Sequence, residues 1–275
     1  MPSPKRLVSL ARYLIIPAGL IVITIWLLNT PPGLLGKLDG IGYAVCHRIP
    51  ERSFHVEGRP LPLCARCSGM YLGAMIALIY QSIVSPYHQK FPRWPIAIPL
   101  ILFAVAFGID GANSYLYLIK SVSSGPLTQI PNLYIPNNTL RLFTGAGMGL
   151  GLSALLYPAF NQTVWNQPDD RPALTWKDLI TLVGLIVIVN LLILTESPLI
   201  LYPAAFVSAG GVVVLLTMVY TIVWIMLMGE ENRFVHLRQL WLALLAGLTI
   251  AWLQILLIDL FRFWLTGTWG PIPLS

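Results

Sequence analysis

The chain has 275 residues, 56% of them hydrophobic and only 10% charged, with a net charge of +6. A soluble domain carries about 25% charged residues, so a water-soluble globule is excluded. Long uncharged runs predict instead an all-α, polytopic transmembrane bundle of about seven spans in one domain, residues 1–275. The positive charge fits helix ends, where membrane topology places Lys and Arg. It implies a lipid bilayer as partner and no nucleic acid.

Lys5, Arg6 and Arg12 precede an apolar run over residues 13–28. That run is long for a secretory leader and no small-x-small cleavage site follows, so it reads as an uncleaved first span. Residues 30–63 read as the first loop and 64–84 as the second span. The third span, 95–119, contains the polar cluster Asp110, Gly111, Ala112, Asn113 and Ser114. A loop rich in Pro, Ser and Asn covers 121–137, and the fourth span, 138–160, carries Gly145, Gly147, Gly149 and Gly151. Small residues at that spacing permit close helix packing. After a loop with Asp169, Asp170 and Arg171, three further spans are predicted over 177–195, 199–228 and 237–265. With the N-terminus in the cytoplasm, the inner segments hold nine Lys and Arg and the outer segments seven, or three if Arg48, Arg52, Arg66 and Arg141 are kept for function. The bias predicts a cell-membrane protein with its N-terminus inside and residues 46–67 on the outer side.

All three cysteines lie in one stretch. Cys64 and Cys67 form a C-x-x-C pair, which presents two sulfurs to one ion, and Cys46 with His47 lies far enough upstream to close a loop onto it. The expected metal ligands are Cys46, His47, Cys64 and Cys67. Three sulfurs with one imidazole favour zinc, with iron next. If His47 swings away, three sulfurs would leave one open position, as in a catalytic site. Disulfide chemistry and inert cysteines stay open as readings, and His55 has no spacing partner.

The spans run alternately up and down, so depth follows from helix rise. Asp110 lies about 22 Å beyond Pro95 at 1.5 Å per residue, in the last third of a core about 30 Å thick. Asn113 is on its face, one turn on. Asn138 and Arg141 open the fourth span, Glu196 ends the fifth, and Asp259 and Arg262 come late in the seventh. All these groups fall toward the face with the cysteines, and ionisable residues at such depth mark a functional site. Arg141 is the expected partner of Asp110, whereas Asp259 and Arg262 read as a self-neutralising i, i+3 pair. Arg48 and Arg52, with Ser53, can hold an anionic headgroup through their forked donors, or else pair with Glu51 and Asp110. Arg66, between two cysteines, favours their thiolate forms.

The pattern C-H-R-x-P-E-R-S-F, then G-R-x-L-P-L-C-A-R-C-S-G-x-Y-x-G, then D-G, then N-x-L-R-x-x-T-G closely resembles the uncharacterised membrane proteins grouped as domain of unknown function 2085. Residues 40–155 carry the resemblance, through Cys46, His47, Arg48, Glu51, Arg52, Ser53, Phe54, Leu63, Cys64, Arg66, Cys67, Gly69, Tyr71 and Gly73, and then Asp110, Gly111, Asn138, Arg141, Thr144 and Gly145. It implies that these blocks form one site, with residues 177–265 as an extension, and it implies no activity.

Three functions compete. The first is a zinc metalloenzyme acting on a lipid or lipid-linked anionic substrate. Its catalytic residues would be Asp110, Arg141 and His47, and its substrate-binding residues Arg48, Arg52, Ser53, Asn113 and Asn138. The second is a thiol–disulfide oxidoreductase using Cys64 and Cys67. The third is a non-catalytic transporter or complex subunit with a zinc-stapled loop.

Overall fold

Two helices that touch backbone to backbone form the centre of the molecule. In the computed structural model, which describes residues 4–122, 125 and 129–270, these are α3 (Ala65–Val84) and α5 (Asn138–Val164). The side chains of Lys5, Arg6 and Arg12 lie outside the described residues, as does part of the 121–137 loop. The α3–α5 contact follows from glycine. An added Cβ would come within 2.2 Å of the Leu142 carbonyl oxygen at Gly69, 2.1 Å of the Arg66 oxygen at Gly145 and 2.0 Å of the Met70 oxygen at Gly149. Without a hydrophobic force between helices in lipid, close backbone approach of this kind supplies much of the packing attraction.

The other helices are α1 (Pro4–Asn29), α2 (Leu34–Val45), α4 (Trp94–Val122), α6 (Trp176–Ile193), α7 (Pro198–Met228) and α8 (Trp241–Thr266). α4 packs on α5, α7 on α3, α8 on α7 and α1 on α8, so the bundle reads α4–α5–α3–α7–α8–α1 from one side to the other. α6 covers α3 and α5, and α2 leans on α8 and α7. Six helices, α3 to α8, are each long and apolar enough to cross a membrane. Among the described residues, Tyr13–Asn29 and Leu34–Val45, bent by 107° at their junction, make a seventh span if they count as one.

The first loop is therefore not wholly loop: α2 occupies its first third. The rest turns through a hairpin of β1 (His55–Val56) and β2 (Arg59–Pro60). Its turn residues Glu57 and Gly58 have φ of 52° and 78°, the left-handed pair of a tight hairpin turn, and the Tyr202 hydroxyl donates to Glu57 at 3.0 Å.

Helix ends follow local sequence. Asn137 caps α5 by accepting the Leu140 N–H at 2.8 Å, and Thr175 with Asp178 forms a capping box on α6. At the end of the bundle where α3 finishes, β3 (His88–Lys90) pairs in parallel with β4 (Asp169–Pro172). That pairing ties the α3–α4 and α5–α6 connections together.

Candidate metal centre and its arginine shell

Cys46 ends α2 in an extended conformation, φ −137° and ψ 146°. Two residues on, Arg48 is left-handed at φ 53°, a conformation that costs a non-glycine residue about 1–2 kcal/mol. The turn brings the Arg48 N–H to Cys46 Sγ at 3.5 Å. From the other side the N–H of Cys64, the residue before α3, donates to the same sulfur at 3.3 Å. Donors converging on one sulfur favour its thiolate. The Cys64 and Cys67 thiols donate to Cys46 and hold it well below the usual thiol range, against the effect of burial. Cys64, committed as a donor to Cys46, is pushed up to about 12.

Cys46, His47 and Cys64 bring ligand atoms within 4.8 Å of one another, and the expected fourth ligand, Cys67, lies outside that set. A zinc–sulfur tetrahedron with bonds of about 2.3 Å has edges of about 3.8 Å. Two sulfurs and one imidazole within that reach are a donor set that suits zinc. His47 Nδ1 accepts the Ile49 N–H at 3.3 Å, which places the proton of the neutral ring on Nε2. Burial lowers the His47 pKa; Cys46 opposes this, and the charges of Arg52, Arg66 and Arg141 reinforce it.

Those three guanidiniums lie close enough to act on His47 through their charge. Asp110, 1% exposed, is held by Arg66 from α3, which donates through Nε at 3.0 Å and also through Nη2. The Tyr134 hydroxyl donates to its other oxygen at 2.8 Å, and Thr144 of α5 adds a long bond at 3.4 Å. The partner of Asp110 is thus Arg66 and not Arg141. Arg66 rises from the first turn of α3 directly toward α4, while the Arg141 Nη1 turns back to Asn138 at 2.9 Å. Arg66 also reaches the Ser114 hydroxyl at 2.9 Å, and Arg52 donates to the Ser114 carbonyl at 3.0 Å. Arg52 and Arg141 are only 9% and 6% exposed, and neither forms an ion pair among the described residues. The Nε of Arg141 is buried without a partner. Burial, then Arg66, lowers the Arg52 pKa.

Other expected site residues are engaged elsewhere. Arg48 turns away from Arg52 to an ion pair with Asp39 at 2.7 Å and to the Trp269 carbonyl at 3.1 Å. The Ser53 hydroxyl is taken by the Ile49 carbonyl at 3.1 Å. Asn113 staples the loop before α5, donating to the Tyr134 carbonyl and accepting the Leu133 N–H at 2.9 Å, and so aims Tyr134 at Asp110. Asn138 donates to the Glu51 and Ser53 carbonyls at 3.3 and 3.4 Å and joins the first loop to α5. The self-neutralising pair in α8 does not form. Asp259 accepts the Trp26 indole N–H at 2.9 Å, its other oxygen has no partner, and Arg262 reaches to α2. Glu196 is exposed in the α6–α7 connection, and His55, expected in a loop, is exposed in β1. Sequence reasoning missed Tyr134 and Asp39, and named Ser114 only within the polar cluster and Thr144 only through the family pattern. Ser114, four residues after Asp110 and so on its helix face, carried the clearer signal.

The model of a family described as "Predicted membrane protein (DUF2085)" matches residues 46–155. An uncharacterised protein of Methanothermobacter thermautotrophicus is 33% identical over 111 residues, 40% of this chain and 83% of the relative. Another from Methanocaldococcus jannaschii is 29% identical over 125 residues, 45% of this chain and 68% of the relative. No solved structure matches the chain. The matched segment holds the three thiols, His47 and the arginine shell, together with α3, α4 and most of α5, and on that evidence the chain belongs to the DUF2085 family of multi-pass membrane proteins.

Proposed function

We propose that the protein is a membrane-embedded zinc enzyme acting on a lipid or lipid-linked substrate with an anionic head. The observation that carries this reading is the charge imbalance beside the thiols. Two buried guanidiniums, of Arg52 and Arg141, and the partly exposed one of Arg66 share one buried carboxylate, and that carboxylate is committed to Arg66. Arg52 and Arg141, 9% and 6% exposed, then remain without an ion-pair partner among the described residues. Isolated buried charge is costly, and a phosphate or carboxylate head would relieve it through forked N–H donors.

Cys46, Cys64 and Cys67 would hold the zinc, with His47 as fourth ligand or as the proton-bearing group through Nε2. When bound, the ion supplies Lewis acidity and an activated water. Arg52 and the free Nε of Arg141 orient the head. Asp110 fixes Arg66 and Tyr134, because both its oxygens are engaged, and the proton-handling role expected of it passes to His47. The thiol centre faces the outer side of the cell membrane, with the N-terminus inside.

Metal analysis of the purified chain tests this. The expected result is one zinc per wild-type chain and its loss in Cys64→Ser; a metal-free wild type ends the proposal. A second reading, thiol–disulfide oxidoreductase, has one observation in its favour. Two backbone N–H groups converge on Cys46 Sγ at 3.5 and 3.3 Å, and hydrogen bonding with Cys64 and Cys67 lowers its pKa, which suits an attacking thiol. A reversible disulfide in a zinc-free wild type, seen by mass spectrometry, would establish it.

A further inference from the structure

We infer that Arg262 of α8, outside the family segment, is the positioning residue for the Cys46–His47 half of the metal centre. The inference rests on the metal reading above and extends it to a part of the chain that the family model does not match. Arg262 Nη1 donates to the carbonyls of Tyr43 at 2.5 Å and Cys46 at 2.6 Å, and Nη2 donates to His47 at 3.4 Å. Its guanidinium lies 3.9 Å from the centre of the Tyr43 ring. Tyr43, 1% exposed, is fastened in turn by its hydroxyl to Thr266 at 2.9 Å and to the Thr268 carbonyl at 2.7 Å. Arg48 completes the link through the Trp269 carbonyl.

The physical need is plain. The last carbonyls of a helix have no partner within it, and a cation there satisfies them. α2 ends at Val45, so Cys46 and His47 hang from a helix end that would otherwise fray. Arg262 can serve because it is not spent on Asp259. That carboxylate sits one turn earlier and forms no ion pair among the described residues. The two halves of the ligand set are thereby held by different means. Cys64 and Cys67 are set by α3, locked on α5 through glycine contacts; Cys46 and His47 are set by a clamp from α8.

The test compares wild type, Arg262→Gln and Arg262→Lys as purified full chains. Zinc affinity is measured by competition with a chromogenic chelator. In zinc-stripped protein, the alkylation rate of each cysteine is followed by mass spectrometry, and thermal midpoints are recorded alongside. Removing a group that orients metal ligands costs about 10- to 100-fold in affinity. Arg262→Gln should lose that much and expose Cys46 to faster alkylation while Cys64 and Cys67 change little. Arg262→Lys, with one donor centre in place of a fork, should fall between. Unchanged affinity together with unchanged Cys46 alkylation overturns the inference, even if the midpoint drops, because a purely structural arginine would do only the latter. A wild type without zinc removes the metal reading alone, since selective alkylation of Cys46 in Arg262→Gln still supports the clamp and its absence still refutes it. If Arg262→Gln does not fold, the same readouts on Arg262→Lys decide.

Discussion

Asp110 and Asp259 are both carboxylates sealed inside membrane helices, 1% and 0% exposed, yet they are satisfied in opposite ways. Asp110 draws donors from three places: Arg66 on α3, Thr144 on α5 and Tyr134 in the loop between α4 and α5. Asp259 has one donor, the Trp26 indole of α1, and an oxygen with none. The first joins the family segment into a single polar knot. The second leaves polarity over in the surrounding helices. The comparison teaches that charge in a bilayer is settled between helices rather than within a turn, and that a buried acid is only as fixed as the number of elements that reach it.

The sharpest way to break the contrast is Arg66→Ala. It strands Asp110, and losing one partner of a buried ion pair costs about 3–5 kcal/mol, read as a fall in the unfolding midpoint of detergent-solubilised protein. A loss below about 1 kcal/mol, the ordinary size for a surface pair, would show that the knot holds nothing together. Trp26→Phe should cost less, about 1–3 kcal/mol, the penalty for a buried acceptor deprived of its hydrogen bond. Asp259→Asn should be smaller again, within about 1 kcal/mol of wild type. Its amide oxygen can still accept from Trp26, and a buried charge disappears; a loss as large as that of Arg66→Ala would make the two acids equivalent.

The smallest effect is alkaline. Burial, with the bond to Asp110, raises the Tyr134 pKa to about 12. Its unfolded value is about 10, so the native state holds its proton longer than the unfolded state does. The contribution is present below pH 10 and is lost as pH rises from 10 to 12. Tyrosinate absorbance should show this late titration, and Tyr134→Phe should remove it.

Much of this plan is legible in the amino-acid order. Uncharged runs give the spans because hydrocarbon tolerates little else, and helix rise places Asp110, Arg141 and Arg262 at the depth of Cys46 and Cys64. Three things are hidden. α2 is short and carries three glycines among its 12 residues, so it has no signal as a helix. The choice of Arg66 over Arg141 depends on how α3 and α4 are rotated about their axes, which spacing along one helix does not encode. Arg262 stands three residues from an acid but answers to carbonyls more than 200 residues away. The β3–β4 pair is too short to show alternation.

The glycine seam between α3 and α5 has a consequence for motion. Two rods whose main chains touch cannot slide or tilt independently without collision, so the C-x-x-C turn on one and Arg141 on the other travel as a single stiff plank. Any opening that admits a bulky lipid head must then come from the pieces laid against that plank: α4 swinging with Asp110, or the 46–63 segment lifting from beneath its arginine latch.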